Sequence, residues 1–196
     1  SLPGPLVMRI VSGAFRGRPL ATPRDQSIRP TSDRVRQAMF DILSHGIDGF
    51  SIEGARVLDL FAGTGALAFE ALSRGAASAV LVDDRAEARA LMRETIVALG
   101  LAGRTRLLRR DATQLGPVEA IGPATLAFLD PPYGKGLGAS ALASALAGGW
   151  IAPGAVIVLE EDARADIALP AEIDQLDERA WGGTKALFLR LRTRSP

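Results

Sequence analysis

A chain of 196 residues with a net charge of +1 is long enough for one α/β domain with a full core and too short for two. It has no cysteine and one histidine, His45, which excludes disulfides, thiolate metal sites and histidine-rich metal sites; no metal is expected. The charge is uneven: residues 1–40 hold seven arginines against two aspartates, a local balance of +5 that leaves −4 for the rest. A basic arm on a mildly acidic body is an electrostatic footprint for a polyanion such as nucleic acid.

The first methionine is Met8. Residues 1–7 show no signal-peptide pattern and are expected to be an appended or disordered tail, and the protein is expected in the cytoplasm. Residues 8–20 (MRIVSGAFRGRPL) place β-type apolar residues on both sides of Ser12-Gly13, with a second turn at Arg16-Gly17, which predicts a small hairpin or curled strand pair. Arg9, Arg16, Arg18 and Arg24 are candidates for phosphate contact, and Phe15 is read as core rather than as a base-stacking platform. Pro30-Thr31-Ser32-Asp33 carries helix-start signals. Over residues 33–44, Val35, Met39, Ile42 and Leu43 recur at helical spacing while Arg34 and Arg36 leave that face, so Arg36 joins the phosphate candidates. Residues 8–45 thus read as a basic extension of hairpin and helix, and 46–196 as the main domain.

That domain opens with a strand at residues 56–60 (RVLDL), a glycine turn (FAGTG) and a helix from about Leu67. Gly63 and Gly65 let backbone approach a ligand at a helix N-terminus. Gly63 to Ala68 also fits the G-x-G-x-x-A dinucleotide fingerprint, and Asp83 follows Gly63 by twenty residues at the end of a strand over 79–82. Asp59 decides between the two: a carboxylate there would repel a pyrophosphate but suits the cationic amino-acid end of S-adenosylmethionine. An amphipathic helix over 85–99 ends at Gly100, and a third strand over 104–108 leads to Asp111-Ala112. Asp111 either contacts an adenine or caps a short helix at 113–115.

Residues 125–129 (TLAFL) form a buried strand, and at its carboxyl end stands Asp130-Pro131-Pro132-Tyr133. In open α/β sheets that edge is where ligands bind. Neither proline has an N–H, so the turn is rigid and its carbonyls are free of ladder pairing. A carboxylate beside a proline carbonyl offers two acceptors to a planar exocyclic NH2, and Tyr133 can stack on the ring that bears it. An aromatic amine is a weak nucleophile, and orientation against an electrophilic methyl addresses that weakness. Beyond it, Gly134-Lys135-Gly136 reads as a flexible lid, with Lys135 another phosphate candidate. The apolar tract 138–159 is interrupted by Gly148, Gly149, Pro153 and Gly154, so it reads as a helix and a strand over 155–159 rather than a membrane span. Strands over 176–180 and 187–191 flank Trp181-Gly182-Gly183-Thr184 as a closing hairpin. The expectation is an α/β, Rossmann-like fold: seven strands, mostly parallel, with an antiparallel C-terminal hairpin.

The succession RIVSGAFRGRPL, RPTSDRVRQAMFDIL, VLDLFAGTGALAFEALSRGA, an acid after the second strand and FLDPPYGKG resembles the RsmD family of bacterial methyltransferases over residues 8–192. The resemblance implies a class I methyltransferase that moves a methyl from S-adenosylmethionine to the N2 amine of a guanine in 16S ribosomal RNA, in the 30S subunit or an assembly intermediate, and that works as a monomer. It implies that Asp59, Phe61, Gly63 and Gly65 line the methionine end of the donor, Asp83 its ribose, and Asp111 with Ala112 its adenine. Arg29, Pro30, Thr31 and Arg34 would cover the donor pocket, and Asp130, Pro131, Pro132 and Tyr133 would hold the guanine. Relatives commonly read Glu-x-Asp-Arg after the second strand. Here Asp83-Asp84-Arg85-Ala86 keeps the first acid and has Arg85 in place of the second, which leaves Asp84 a rival for the ribose. Other readings of the same motifs are an amino-methyltransferase of DNA adenine or cytosine, one of protein glutamine, and a non-catalytic RNA-binding assembly factor.

Overall fold

A computed structural model describes residues 7–24 and 31–193. Arg29 and Pro30 lie outside the described residues. After the N-terminal segment the order is α1 (Asp33–His45), β1 (Arg56–Leu60), α2 (Ala66–Ser73), β2 (Ser78–Val82), α3 (Ala86–Leu99), β3 (Thr105–Leu108), β4 (Ala124–Leu129), α4 (Leu137–Ala147), β5 (Ile151–Asp162), β6 (Ile173–Trp181) and β7 (Thr184–Leu191). The strands form one seven-stranded sheet in the order β3-β2-β1-β4-β5-β7-β6. β1 to β5 run parallel, and β7 is antiparallel to both β5 and β6. The chain order reverses between β1 and β4, and that switch point opens a crevice at the strands' carboxyl ends.

Two apolar layers sandwich the sheet. On one face, α1, α2, α3 and the N-terminal segment bury Met39, Phe40, Leu72, Met92, Met8 and Ile10 against Leu81, Phe128 and Val158. On the other, α4 buries Ala141, Leu142 and Ala145 against Leu60, Leu129 and Leu159. Strands covered on both faces are near-continuous hydrophobic runs, which is why 125–129 is legible as a strand. β5 is longer than expected: its pairing with β4 shifts register between Ala124 and Leu126, and that irregularity accommodates Pro153. β6 and β7 also run beyond the expected hairpin limits.

The two arms of the N-terminal segment curl against each other. The antiparallel bridge of Arg9 with Pro19 joins them, flanked by Ile10 N donating to Arg18 O at 3.0 Å and Leu20 N to Met8 O at 2.9 Å. The segment's intervening amides go elsewhere: those of Val11 and Ser12 donate to the Glu70 carboxylate, and those of Ala14 and Phe15 to the carbonyl and hydroxyl of Ser73. The segment is therefore docked onto α2 as well as joined to itself.

Arg36 corrects one expectation. It does not leave the helix face for solvent but is fully buried, its Nε donating to Glu70 Oε1 at 3.0 Å and its Nη2 to Asp33 Oδ1 at 2.7 Å. It also donates to the carbonyls of Thr31 and Arg9. Glu70 is as buried as Arg36 and accepts from Arg74 Nε as well. An arginine within an apolar helix face signals either a solvated stem or a buried ion pair, and periodicity cannot separate them. Arg36 thus joins α1, α2 and the N-terminal segment and is unavailable to phosphate. Arg9, Arg16, Arg18, Arg24, Arg34 and Lys135 are exposed.

Candidate active site at the sheet's switch point

The two motifs lie far apart in the chain, but β1 and β4 are adjacent strands, with Asp59 opposite Phe128 and Leu60 opposite Leu129. The glycine turn leaving β1 and the Asp130 turn leaving β4 therefore flank the same crevice. A cavity of about 860 Å³ opens there, of the size that takes a cofactor. Asp59, Phe61, Gly63, Asp83, Asp84, Asp111 and Ala112 all line it, as does every residue from Asp130 to Tyr133. Thr31 lines it too, whereas Arg34 and Gly65 are not among its lining residues.

The glycine turn is tightly held. Ala62 N donates to Val82 O at 3.0 Å, Gly65 N to Ala62 O at 2.8 Å, and Gly63 N to Asp83 Oδ2 at 2.9 Å. Phe61 has φ of 55°, a conformation uncommon for a non-glycine residue and one that clusters at functional turns. Gly65 has φ of 76°, and a Cβ there would come within 2.5 Å of the Phe69 ring, so its place is to let α2 pack on the strand. As the N-cap of α2 it has no side chain to offer; Asp59 Oδ2 accepts from Ala68 N at 3.2 Å and serves the helix end instead.

Strand register explains the electrostatics. Asp59 pairs with Leu81 and Phe128, and Phe128 with Val158. Two residues further along come Asp83, Asp130 and Glu160, so alternation brings four carboxyl groups to one face of the sheet. Asp59, Asp83 and Glu160 are all buried, and Asp130 is half-buried. Burial pushes the Asp59 carboxyl well above the usual carboxylate range, opposed by the Ala68 N–H and reinforced by Asp130 and Asp83. Burial, then Asp130 and Asp59, push Glu160 up in the same way. Such a face is prepared for a cation and for donor groups. Among the described residues no group of His, Cys, Asp and Glu is arranged to hold a metal ion.

Asp83 is already engaged: Oδ1 accepts from Arg85 N and Nε, and Oδ2 from Arg85 Nη2 and Gly63 N, all within 3.1 Å. Asp84 beside it is exposed. Asp111 is exposed and accepts from both the N and Oγ1 of Thr113, holding its carboxyl below the usual range. This is a turn, with no helix at 113–115. Tyr133 donates its hydroxyl toward Asp130 Oδ1 at 3.4 Å, and burial, Asp130 and Glu160 raise its pKa. The turn at Asp130 seats closely because Gly138 opens α4: a Cβ there would meet Leu159 at 2.8 Å and the Pro131 ring at 3.4 Å. The segment read as a lid is a turn tied at Gly134, whose N–H donates to Glu161 Oε1 at 3.0 Å.

Glu160, Trp181, Thr184 and Arg110 also line the cavity and carry no motif. For Glu160 a signal existed: in Val156-Ile157-Val158-Leu159-Glu160, a carboxylate ends a buried run at the ligand edge. Trp181 and Thr184 arrive by the β6–β7 hairpin and could be placed only once β7 was known to lie beside β5.

A family model described as Conserved hypothetical protein 95 matches residues 8–190. Ribosomal RNA small subunit methyltransferase D of Escherichia coli K12 is 37% identical over 156 residues, covering 79% of this chain and 75% of that protein. The solved structure of yhhF from Escherichia coli superposes with a TM-score of 0.82 at 30% identity, over 96% of this chain and 99% of that one. The fold is shared more widely: an RNA methyltransferase from Salinibacter ruber, solved with S-adenosyl-L-homocysteine, has a TM-score of 0.61 at 16% identity, over 85% and 96% of the two chains. The strand order is that of class I methyltransferases, and by family model, sequence and structure together this chain belongs to the RsmD family.

Proposed function

We propose that the protein methylates the exocyclic N2 amine of a guanine in 16S ribosomal RNA, as a cytoplasmic monomer acting on the 30S subunit or an assembly intermediate. What carries the reading is the juxtaposition at the switch point: the Asp130 turn and the β1 glycine turn share one cavity with a buried acidic face. The residues fit S-adenosylmethionine: the cavity is large enough, Asp59 and its neighbours suit a cation, and Phe61 and Gly63 offer a close backbone approach. When bound, it supplies an electrophilic methyl on a sulfonium. The similar proteins named as small-subunit methyltransferases point to ribosomal RNA as the acceptor.

The chain's own residues then do the following. Asp59 lies against the donor's ammonium end. Asp83 anchors the glycine turn and, where a ribose hydroxyl displaces the half-exposed Arg85, accepts from that hydroxyl; Asp111 and Ala112 border the adenine. Thr31, which lines the cavity, covers the pocket. Asp130 and the Pro131 carbonyl accept the two hydrogens of N2 and hold its lone pair in line with the methyl. Tyr133 stacks on the base. Methyl transfer would leave the amine nitrogen with a proton to lose, and Asp130 would accept it or pass it to solvent. Arg9, Arg16, Arg18, Arg24 and Lys135 contact phosphates, which positions the RNA without reading its sequence.

The test is transfer of labelled methyl from S-adenosylmethionine to unmodified 30S particles, with free 16S RNA, DNA and ribosomal protein alongside, followed by nucleoside analysis. Label recovered as N2-methylguanosine supports the reading. Label in adenine, cytosine or protein overturns its acceptor half, and donor binding with no transfer to any of these favours an RNA-binding assembly factor.

A further inference from the structure

Glu160 stands beside the Asp130 turn with no part in the chemistry above. It is 4% exposed, it lines the cavity, and its Oε1 has no hydrogen-bond partner among the described residues. A buried acceptor left unpaired costs about 1–3 kcal/mol, and natural cores rarely keep one without a use for it. Its placement is fixed by the sheet: Leu129 pairs with Leu159, so the next residues on β4 and β5, Asp130 and Glu160, are neighbours on the same face. On its other side Glu160 pairs with Ala186 of β7, which offers no donor side chain.

We propose that Glu160 is the group that selects guanine, its Oε1 accepting the N1–H of the base whose N2 amine is held by Asp130 and Pro131. This rests on the guanine-N2 reading and deepens it. Along the Watson–Crick edge, guanine presents the N2 amine and the N1–H side by side, two donors pointing the same way. Two neighbouring carboxyl groups match that pair. Adenine and cytosine place a bare ring nitrogen, an acceptor, next to their amines, and against it a carboxylate is repulsive. On the far side of guanine's amine lies N3, also an acceptor, so the carboxylate can sit only on the N1 side. In the ligand-free protein, burial and the neighbouring Asp130 and Asp59 favour the neutral form of Glu160. A cation in the same cavity favours the ionised form, so base reading is strongest when the donor is in place.

The test uses 30S particles reconstituted from ligated 16S RNA with guanine or 2-aminopurine at the methylated position. 2-Aminopurine keeps the C2 amine but has an unprotonated N1. The quantity read is the guanine to 2-aminopurine ratio of kcat/KM, compared between the wild-type protein and Glu160→Ala, so that intrinsic differences in amine reactivity cancel. The wild-type ratio is expected to fall on the order of 10- to 100-fold in Glu160→Ala, the loss expected for a hydrogen bond to a charged group. Glu160→Gln, whose carbonyl still accepts but carries no charge, should fall between them. The circular-dichroism spectra of Glu160→Ala and Glu160→Gln should match that of the wild type, which certifies a folded domain. If Glu160→Ala and Glu160→Gln keep the wild-type ratio, or lose activity equally on both bases, Glu160 does not read N1 and the proposal is overturned. If the wild-type protein places label anywhere but guanine N2, the functional reading fails first, before any variant is compared.

Discussion

Arg36 and Glu70 join the N-terminal segment to the domain that carries the site, and their burial makes the consequence of breaking them calculable. Glu70 is fully buried and accepts from the amides of Val11 and Ser12 and from the Nε atoms of Arg36 and Arg74. Glu70→Ala leaves two amides without that acceptor and two guanidinium groups without their shared counter-charge. Removing one partner of a buried pair costs about 3–5 kcal/mol. For a domain of this size each kcal/mol lowers Tm by about 2–4 °C, so a loss of about 6–20 °C is expected. Arg36→Met should fall at the lower end, because Arg74 still neutralises Glu70. The two changes should be strongly non-additive, with a coupling of about 1–3 kcal/mol between them. Urea denaturation of the four proteins measures this directly, read as midpoints at a common slope. RNA binding supplies the control: the salt dependence of affinity should be unchanged in Arg36→Met but shallower by about one unit in Arg16→Ala. If Arg36→Met and Glu70→Ala each shift stability by less than about 0.5 kcal/mol, or if Arg36→Met reduces the salt slope, the buried network is not what holds the segment.

Asp130→Ala is expected to retain donor affinity and to lose kcat by on the order of 10²–10³-fold, the loss typical of a group that acts mainly in the transition state; near-normal turnover would rule out its assigned role. Asp83→Ala should weaken donor binding by about tenfold or more, through both the ribose and the Gly63 anchor, whereas Asp84→Asn should leave it unchanged; calorimetry showing the reverse order would move the ribose to Asp84. The raised carboxyls of Asp59 and Glu160 set a pH dependence. Between the ordinary carboxylate value near about 4 and their raised values, the folded state holds more protons than the unfolded one, so their contribution to stability is full at low pH and is lost as pH rises. A bound cation offsets that loss, so the rise in Tm produced by S-adenosylmethionine should grow as pH rises above the ordinary carboxylate range; a rise independent of pH would mean that these carboxyls do not ionise against the donor. Exposed Asp111 and Asp174, held low by Thr113 and Arg192, act in the opposite sense, but solvent screens them.

Sequence by itself determined most of the strands and helices and the chemistry of the two turns, because those properties are local. A continuous apolar run such as residues 126–129 has no face to expose and reads as a buried strand. Two prolines end a ladder wherever they stand, and glycines at 63 and 65 permit positive φ in any fold. Local patterns also carry the resemblance that named the family. Tertiary structure alone decided what depends on neighbours distant in sequence. Arg36 stands on a helix among apolar residues, and only the arrival of Glu70 from α2 makes it a buried tie instead of a phosphate contact. The N-terminal segment reads as a small hairpin, but only the placement of α2 shows where the amides of its tip find their acceptors. Glu160 follows an ordinary apolar run; that it joins Asp59, Asp83 and Asp130 follows from the strand order, in which β4 lies between β1 and β5. Periodicity gives each strand its two faces, but only pairing and register show whose carboxylates share one.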